Sequence, residues 1–542
     1  MQRYLKPTRA VISILMLLAI GFTFLDFSDS LPVAWYNRIL FLQLVPSAIK
    51  FMQTAAHGMA ISAYGFIVIL VLTLLFGRVY CSYVCPLGIF QDIITWFSGK
   101  TNRGVKKKCF RFATAQNRLR YTVLAVVILS LFTGSIALLN VMEPYSNFGR
   151  FTSGIFRPVY VAGNNLLVKI FESMGSYALY PVTIARANPF TLIIPLVMLA
   201  LVVWLSFSRG RLYCNTVCPV GAFLGLVSKA SLFKVKIEQP KCNRCGSCMF
   251  ACKAQCIDVK NQSVDFSRCV GCGNCMKVCD KNSIGYALCT SKKNNLTAET
   301  RTDSSRRRFI ASSMLLISAL SSFSVKSLAQ SRSRIEAPGD KTPAPGSGIG
   351  TGNEAVDKLY HVTPPGSISH DNFLNACTAC HLCVSACPTD VLKPSFLEYG
   401  LFGIMQPFMD YRVSFCNFEC VKCSEVCPSG AILPLTVEQK ITTQTGKVRF
   451  VENNCIVYTD KTSCGSCSEH CPTQAVTMAP YIGELTIPKI NTDICVGCGA
   501  CEYACPVTPY KAIIVDGNPV HAIAQKPVQE ELKEKPLEDF PF

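Results

Sequence analysis

The chain has 542 residues, too many for one ordinary core, and half of them are hydrophobic while only 16% are charged. A mean hydropathy of +0.31 excludes a disordered protein and points to a membrane protein with soluble parts. The formal charge of +19 is divided: residues 1–330 carry 37 Lys and Arg against 11 Asp and Glu, residues 331–542 carry 16 against 23. The basic half also holds the long apolar runs, so the bias reads as membrane topology and not as a nucleic-acid surface.

Four apolar runs near 10–27, 58–77, 121–140 and 190–207 match the length of about 20 residues that crosses a bilayer. The intervening segments 1–9, 78–120 and 208–308 hold 30 Lys and Arg, whereas 28–57 and 141–189 hold 6. That asymmetry places the N-terminus in the cytoplasm. The stretch 32–52, interrupted by Arg38 and Pro46, reads as an interfacial segment on the outer side. Residues 1–230 are therefore expected to form a four-helix transmembrane domain.

That domain contains a repeat. GRVYCSYVCPLGIF at 77–90 and GRLYCNTVCPVGAF at 210–223 agree at nine of fourteen positions. Each copy begins where an apolar run ends, and each carries C-x3-C-P. One reading is a turn in which Pro and Gly stop the helix and the cysteines pack. The other is that Cys81, Cys85, Cys214 and Cys218 converge on a further metal or redox centre, as two equivalent repeats would allow. The spacing does not choose among an iron–sulfur centre, a single metal ion and a thiol pair.

From 242 onward the cysteines follow a specific rule. Cys242, Cys245, Cys248 and Cys252 are spaced C-x2-C-x2-C-x3-C, and Cys269, Cys272, Cys275 and Cys279 repeat the spacing. Cys377, Cys380, Cys383 and Cys387 form a third run, and Cys495, Cys498, Cys501 and Cys505 the last. Between them lie two variants, Cys416, Cys420, Cys423 and Cys427, then Cys455, Cys464, Cys467 and Cys471. Three closely spaced thiolates hold one cubane while the fourth reaches a partner cluster, so the pattern predicts six [4Fe–4S] clusters. Cys279 is then expected to complete the first cluster and Cys252 the second. Pro follows the last cysteine in four runs, at 388, 428, 472 and 506; Lys253 and Asp280 replace it in the first two. Zinc fits poorly, because zinc sites pair separated cysteines. Cys377-x-x-Cys380-His381 spells a c-type haem attachment signal, but it lies inside a complete ferredoxin run. No haem is expected. Six oxidised cubanes would offset the formal charge by about −12. Three cysteines remain: Cys256 is expected to pack, and Cys109 and Cys289 receive no role.

Between the two groups of runs, Ser305-Arg306-Arg307-Arg308-Phe309-Ile310 matches a twin-arginine export signal. An apolar stretch at 309–325 and Ser327-Leu328-Ala329 complete it, over 301–330 as a signal or anchor helix. An ordinary fifth transmembrane helix is the alternative. Clusters are inserted in the cytoplasm, so a cluster-bearing domain must cross folded, which this route permits. Residues 331–370 read as a Pro, Gly and Ser-rich linker, and 526–542 as a disordered tail. The glycine run near 346–352 lacks the order of a nucleotide loop.

The fold class expected is a multi-domain α+β membrane protein. A helical transmembrane domain is followed by ferredoxin-like domains at 231–300, cytoplasmic, and 371–525, periplasmic. On the paired C-x3-C-P loops and the two cubane runs after the fourth span, residues 1–300 resemble the NapH-type membrane ferredoxins (NapH/MauN, NosR-like). On the twin-arginine signal and four cysteine runs, 301–525 resemble the exported four-cluster NapG/MauM type. The chain looks like a fusion of the two. The resemblance implies a quinol dehydrogenase-type component of a bacterial inner membrane. It would take electrons from quinol and pass them to a periplasmic reductase or cytochrome, without nucleic acid. FixG and CcoG copper-handling ferredoxins share the membrane motif, which keeps open a rival role as a redox assembly or maturation factor for a client enzyme. A third reading is a scaffold subunit whose clusters are structural. No flavin-attachment sequence of the kind expected in NosR is visible, and no flavin is expected. By analogy with four-cluster ferredoxin subunits, the outer runs are expected to pair one with four and two with three. Cys505 would then join Cys377, Cys380 and Cys383, and Cys387 the 495 run, while Cys471 would join the 416 run and Cys427 the 455 run. About 30 Å of hydrocarbon would separate the inner and outer clusters. No histidine lies within an apolar run to hold a bridging haem, and His57 only borders one. A quinone or the C-x3-C-P loops must carry part of the path.

Overall fold

A computed structural model describes residues 5–25, 32–54, 64–101, 110–182, 189–288 and 354–525. Arg306, Arg307 and the whole export-signal stretch lie outside the described residues, as do Cys109, Cys289, the 526–542 tail and most of the 331–370 linker. The chain divides into two units. One comprises 1–348, 371–407 and 422–433; the other comprises 349–370, 408–421 and 434–542. The domain expected over 371–525 is therefore shared between them.

The first unit is mainly helical. Leu5–Leu25 and Pro189–Arg209 are each 21 residues long and apolar enough to cross a membrane. The two other expected spans contain shorter described helices, Gly65–Phe76 of 12 residues and Asn117–Phe132 of 16. Ile20, Phe24, Tyr145, Phe151, Tyr213 and Leu224 have no exposed surface and mark the centre of this helical layer.

The repeat is visible as a repeated chain path. Gly65–Phe76 ends at Gly77 (φ 80°) and Ile193–Arg209 at Gly210 (φ 72°). Both glycines adopt a backbone that a β-carbon would obstruct, and each caps its helix through N–H bonds to Thr73 and Ser206. One short turn of helix follows in each copy, Tyr80–Tyr83 and Leu212–Thr216. Pro86 and Pro219 then open the helices Pro86–Thr101 and Pro219–Val227, where a missing N–H costs nothing. The first cysteine of each motif lies on the short helix and the second just before the proline.

The same unit carries a small ferredoxin-like layer. Phe233–Ile237 pairs antiparallel with Ile284–Leu288, and Ile257–Asp258 with Ser263–Val264. Val235, Ile257, Phe266, Met276 and Ile284 form its core together with Cys252, Cys256, Cys269 and Cys275. Helices Leu382–Ala386 and Lys422–Glu425 pack together elsewhere in this unit.

The second unit is built on two antiparallel pairs, Thr443–Phe450 with Ile513–Ile523 and Val476–Pro480 with Thr486–Ile490. Short helices Ser466–Glu469 and Ala500–Ala504 pack against each other. Buried Glu502 accepts the Val515 N–H and pairs with Lys358 at 2.7 Å, which fixes the helix before Cys505 to the long strand.

Candidate metal centres

The four regular runs share one local device. The residues flanking the second cysteine both adopt left-handed backbone: Arg244 and Gly246, Gly271 and Gly273, Ala379 and His381, Gly497 and Gly499. Two such reversals curl the chain so that three thiols can face one point. Glycine takes this conformation freely; Arg244, Ala379 and His381 take it under strain. His381 is further held by its Nε2, 2.8 Å from the Met405 carbonyl oxygen, and burial lowers its pKa to about 3. The C-x-x-C-H tripeptide motif therefore serves a cluster turn. Among the described residues, the 416 and 455 runs lack this double reversal, as their wider first spacing requires.

In the first pair each run has one thiol of the other within electrostatic range. Cys279 is the remote thiol within electrostatic range of Cys248, along with Cys242 and Cys245. Cys252 is the remote thiol beside Cys269, Cys272 and Cys275. A cavity lined by Cys252, Cys269, Cys272 and Cys275 is backed by Val235, Ile257 and Met276, a donor set and an apolar wall that suit a cubane. Cys256 does more than pack. Its Sγ lies 3.5 Å from that of Cys252, and its S–H bond is the main cause that lowers the Cys252 pKa to about 7.

The outer pairing differs from expectation. Cys427, not Cys505, is within range of Cys377, Cys380 and Cys383 in the first unit. In the second unit Cys505 faces Cys455, Cys464 and Cys467, and Cys471 faces Cys495, Cys498 and Cys501. Cys427 thus lies by the run that precedes its own, and the last two runs lie by each other's fourth cysteine. The reason is local: helices Leu382–Ala386 and Lys422–Glu425 pack on each other, and so do Ser466–Glu469 and Ala500–Ala504.

The C-x3-C-P cysteines come together. Cys85 is within electrostatic range of Cys81, Cys214 and Cys218, and all four thiols are buried. The repeats clasp each other: Arg78 Nη2 donates to the Cys214 carbonyl (3.0 Å), and Arg211 Nη1 to the Cys81 carbonyl (2.6 Å). The clasp is symmetric, but its charge is not. Asp92 pairs with Arg211 at 2.8 Å, with Arg9 at 2.7 Å and with Lys253 at 3.4 Å. The equivalent of Asp92 in the second copy is Gly225, which admits the Arg120 guanidinium instead. Arg78, Gln91, Asp92, Arg120 and Arg211 were not singled out from the sequence, although both Arg78 and Arg211 lie inside the repeat. Among the described residues no three His, Cys, Asp or Glu side chains stand close enough to grip a single metal ion.

Comparison with known proteins agrees with the cysteine pattern. A family model described as a 4Fe–4S binding domain matches 60–104 and 191–238, and a second of that description matches 263–284 and 374–393. A 4Fe–4S dicluster domain matches 462–508, across the junction of the last two runs. The ferredoxin-type protein NapF of Escherichia coli is 28% identical over 152 residues, 28% of this chain and 84% of that protein. NapG of Escherichia coli is 33% identical over 151 residues (26% and 64%), and the methylamine utilization ferredoxin-type protein MauM of Methylorubrum extorquens 34% over 150 (26% and 66%). No solved structure matches the chain. The chain contains several 4Fe–4S domains and is similar to iron–sulfur electron-transfer proteins of ferredoxin type.

Proposed function

We propose that this ferredoxin-type chain is a membrane-bound electron carrier that oxidises quinol and delivers electrons to a periplasmic reductase or cytochrome. Its six [4Fe–4S] clusters would be held by the 24 cysteines of the six runs, the exchanged ligands being Cys252 with Cys279, Cys387 with Cys427, and Cys471 with Cys505. When bound, such clusters supply one-electron transfer sites. What carries the reading is that Cys279, Cys252, Cys427, Cys471 and Cys505 each lie within electrostatic range of a neighbouring run, because exchange of these ligands would set clusters in adjacent pairs, the arrangement a relay needs. Genuine zinc sites would have no use for it.

The membrane reading draws on the surface of the first unit. Val11, Leu15 and Leu18, then Val126 and Leu129, then Leu196 and Trp204 are all exposed on its long helices. Such a belt has no place in water. The topology is consistent in detail. The segments read as outer supply Lys50 and Arg150, both beside cysteines of the 377 and 416 runs. The segments read as inner carry the 242–279 runs. Export of the region after 331 through Arg306 and Arg307 completes the reading. Spheroplasts supplied with quinol and a membrane-impermeant electron acceptor test the proposal. Acceptor reduction that depends on this chain supports it; reduction that is unchanged when the chain is deleted overturns it.

A further inference from the structure

We propose that the quinol ring binds at the buried polar helix Pro144–Phe151, and that Glu143, which caps this helix, takes the protons that quinol loses. The inference rests on the proposed electron path and gives its substrate a place.

The sequence of this helix, PYSNFGRF, is polar, yet all eight of its residues are buried. Polar groups that leave water are normally paired. Here six neighbouring side chains each keep a polar atom without a partner: Asn140 Oδ1, Glu143 Oε1, the Tyr145 hydroxyl, Ser146 Oγ, Asn147 Oδ1 and Arg150 Nη1. None of the six residues is more than 1% exposed. Glu143 and Arg150 carry opposite charge and lie within electrostatic range, but their two orphan atoms do not meet. Glu143 Oε2 accepts the Ser146 N–H, and Arg150 Nη2 donates to the Asn140 carbonyl, so the fold holds the remaining atoms in place. Neighbouring donors and acceptors are what a quinol hydroxyl needs, since it donates one hydrogen bond and accepts others. Burial raises the pKa of Glu143, which makes its carboxylate a better base.

The place adjoins the first outer run. Asn140 Nδ2 donates to the Cys377 carbonyl at 3.0 Å, and a β-carbon on Gly149 would fall inside 3.0 Å of the Cys380 carbonyl oxygen. Glu143 itself lies within electrostatic range of Cys380. Among the described residues of the segments read as outer, 28–57 and 141–189, it is the only buried carboxylate; Glu172 is exposed. A turn of π-helix follows at Thr152–Phe156, a feature frequent at functional sites. Beyond it Phe156 and Val159 are exposed, an apolar surface for the quinol tail. Quinol becomes quinone by losing two protons and two electrons. Each proton passes from a ring hydroxyl to Glu143 Oε1 and then to the outer side. The electrons leave one at a time to the iron–sulfur centre of the 377 run, which is the oxidant. No electron then has to cross the bilayer.

The test mixes the anaerobically purified full chain, in detergent, with duroquinol and follows cluster reduction by absorbance and EPR. Glu143→Gln keeps the shape and the acceptor for Ser146 but loses the base, so the rate should fall about 100-fold or more. Glu143→Asp keeps the base and should recover part of the rate. A purely structural Glu143 would give the reverse order, Gln above Asp, and that order overturns the proposal. If either variant fails to accumulate with wild-type iron, Tyr145→Phe decides. It removes one orphan hydroxyl, and equilibrium dialysis should show duroquinone bound about three- to tenfold more weakly; unchanged affinity overturns the site. A wild type that dithionite reduces but duroquinol does not refutes the proposed function, and this site with it. A Glu143→Gln variant reduced by duroquinol as fast as wild type overturns the site alone and leaves that function standing.

Discussion

Two alanine substitutions on the helix Pro86–Thr101 should move stability in opposite directions. A β-carbon on Gly88 would fall inside 3.0 Å of the Cys81 carbonyl oxygen, a separation real β-carbons do not show. The obstacle is backbone, and Arg211 Nη1 holds it at 2.6 Å. Relief needs the short helix Tyr80–Tyr83 to shift, which strains that bond. Overpacking costs about 1–3 kcal/mol, and losing a charged hydrogen bond about 1.5–3 kcal/mol more. Gly88→Ala should therefore destabilise the first unit by about 3 kcal/mol or more. Gly99 meets nothing within 4 Å, so Gly99→Ala should stabilise by up to about 1 kcal/mol through helix propensity. At about 2–4 °C per kcal/mol, the two variants should melt roughly 8–16 °C apart. Thermal unfolding in detergent, followed by circular dichroism and by bleaching of cluster absorbance, reads this directly. Melting within a degree or two of each other would show that the two repeats do not pack as described. Gly221→Ala, against the Cys214 carbonyl, should repeat the Gly88 result.

Ligand exchange predicts which spectrum each lesion changes. Cys427→Ser should alter the cluster of the 377 run and Cys505→Ser that of the 455 run; EPR showing Cys505→Ser acting on the 377 run would restore the pairing the sequence suggested. His521, whose Nε2 is 2.9 Å from Thr363 Oγ1, has its pKa lowered by burial to about 4. The unfolded chain therefore takes up the proton first, and stability present above pH 6.5 is lost as pH falls toward 4. The loss should be about 1–3 kcal/mol and smaller in His521→Gln, measured as denaturant midpoints at each pH; equal slopes would contradict the assignment. Changing Arg306 and Arg307 together to Lys keeps charge but loses the planar fork, so the region after 331 should become protected from protease in spheroplasts while the membrane part stays inserted. Digestion as in wild type would mean that 309–325 is an ordinary transmembrane helix.

What the sequence could say depended on how far each constraint reaches. Three cysteines within seven residues bind through local turns, so the runs were legible, and spacing also suggested the exchange of Cys252 with Cys279. The left-handed turns were not read from the sequence; glycine takes them freely at Gly271 and Gly497, whereas at Arg244 and His381 the geometry of the run overrides the residue's own preference. Which outer runs pair depends on how short helices pack over long sequence separations, and analogy chose wrongly. The repeat announced Cys81 and Cys214 as equivalents. It could not reveal that Asp92 and Gly225, at equivalent places outside the matched fourteen residues, give the two copies different charge.

Iron and acid-labile sulfide per chain, measured after anaerobic purification, test the central claim most directly. Six cubanes require about 24 irons. A value near eight would mean that only one pair of runs holds clusters, and the outward relay would have no carriers.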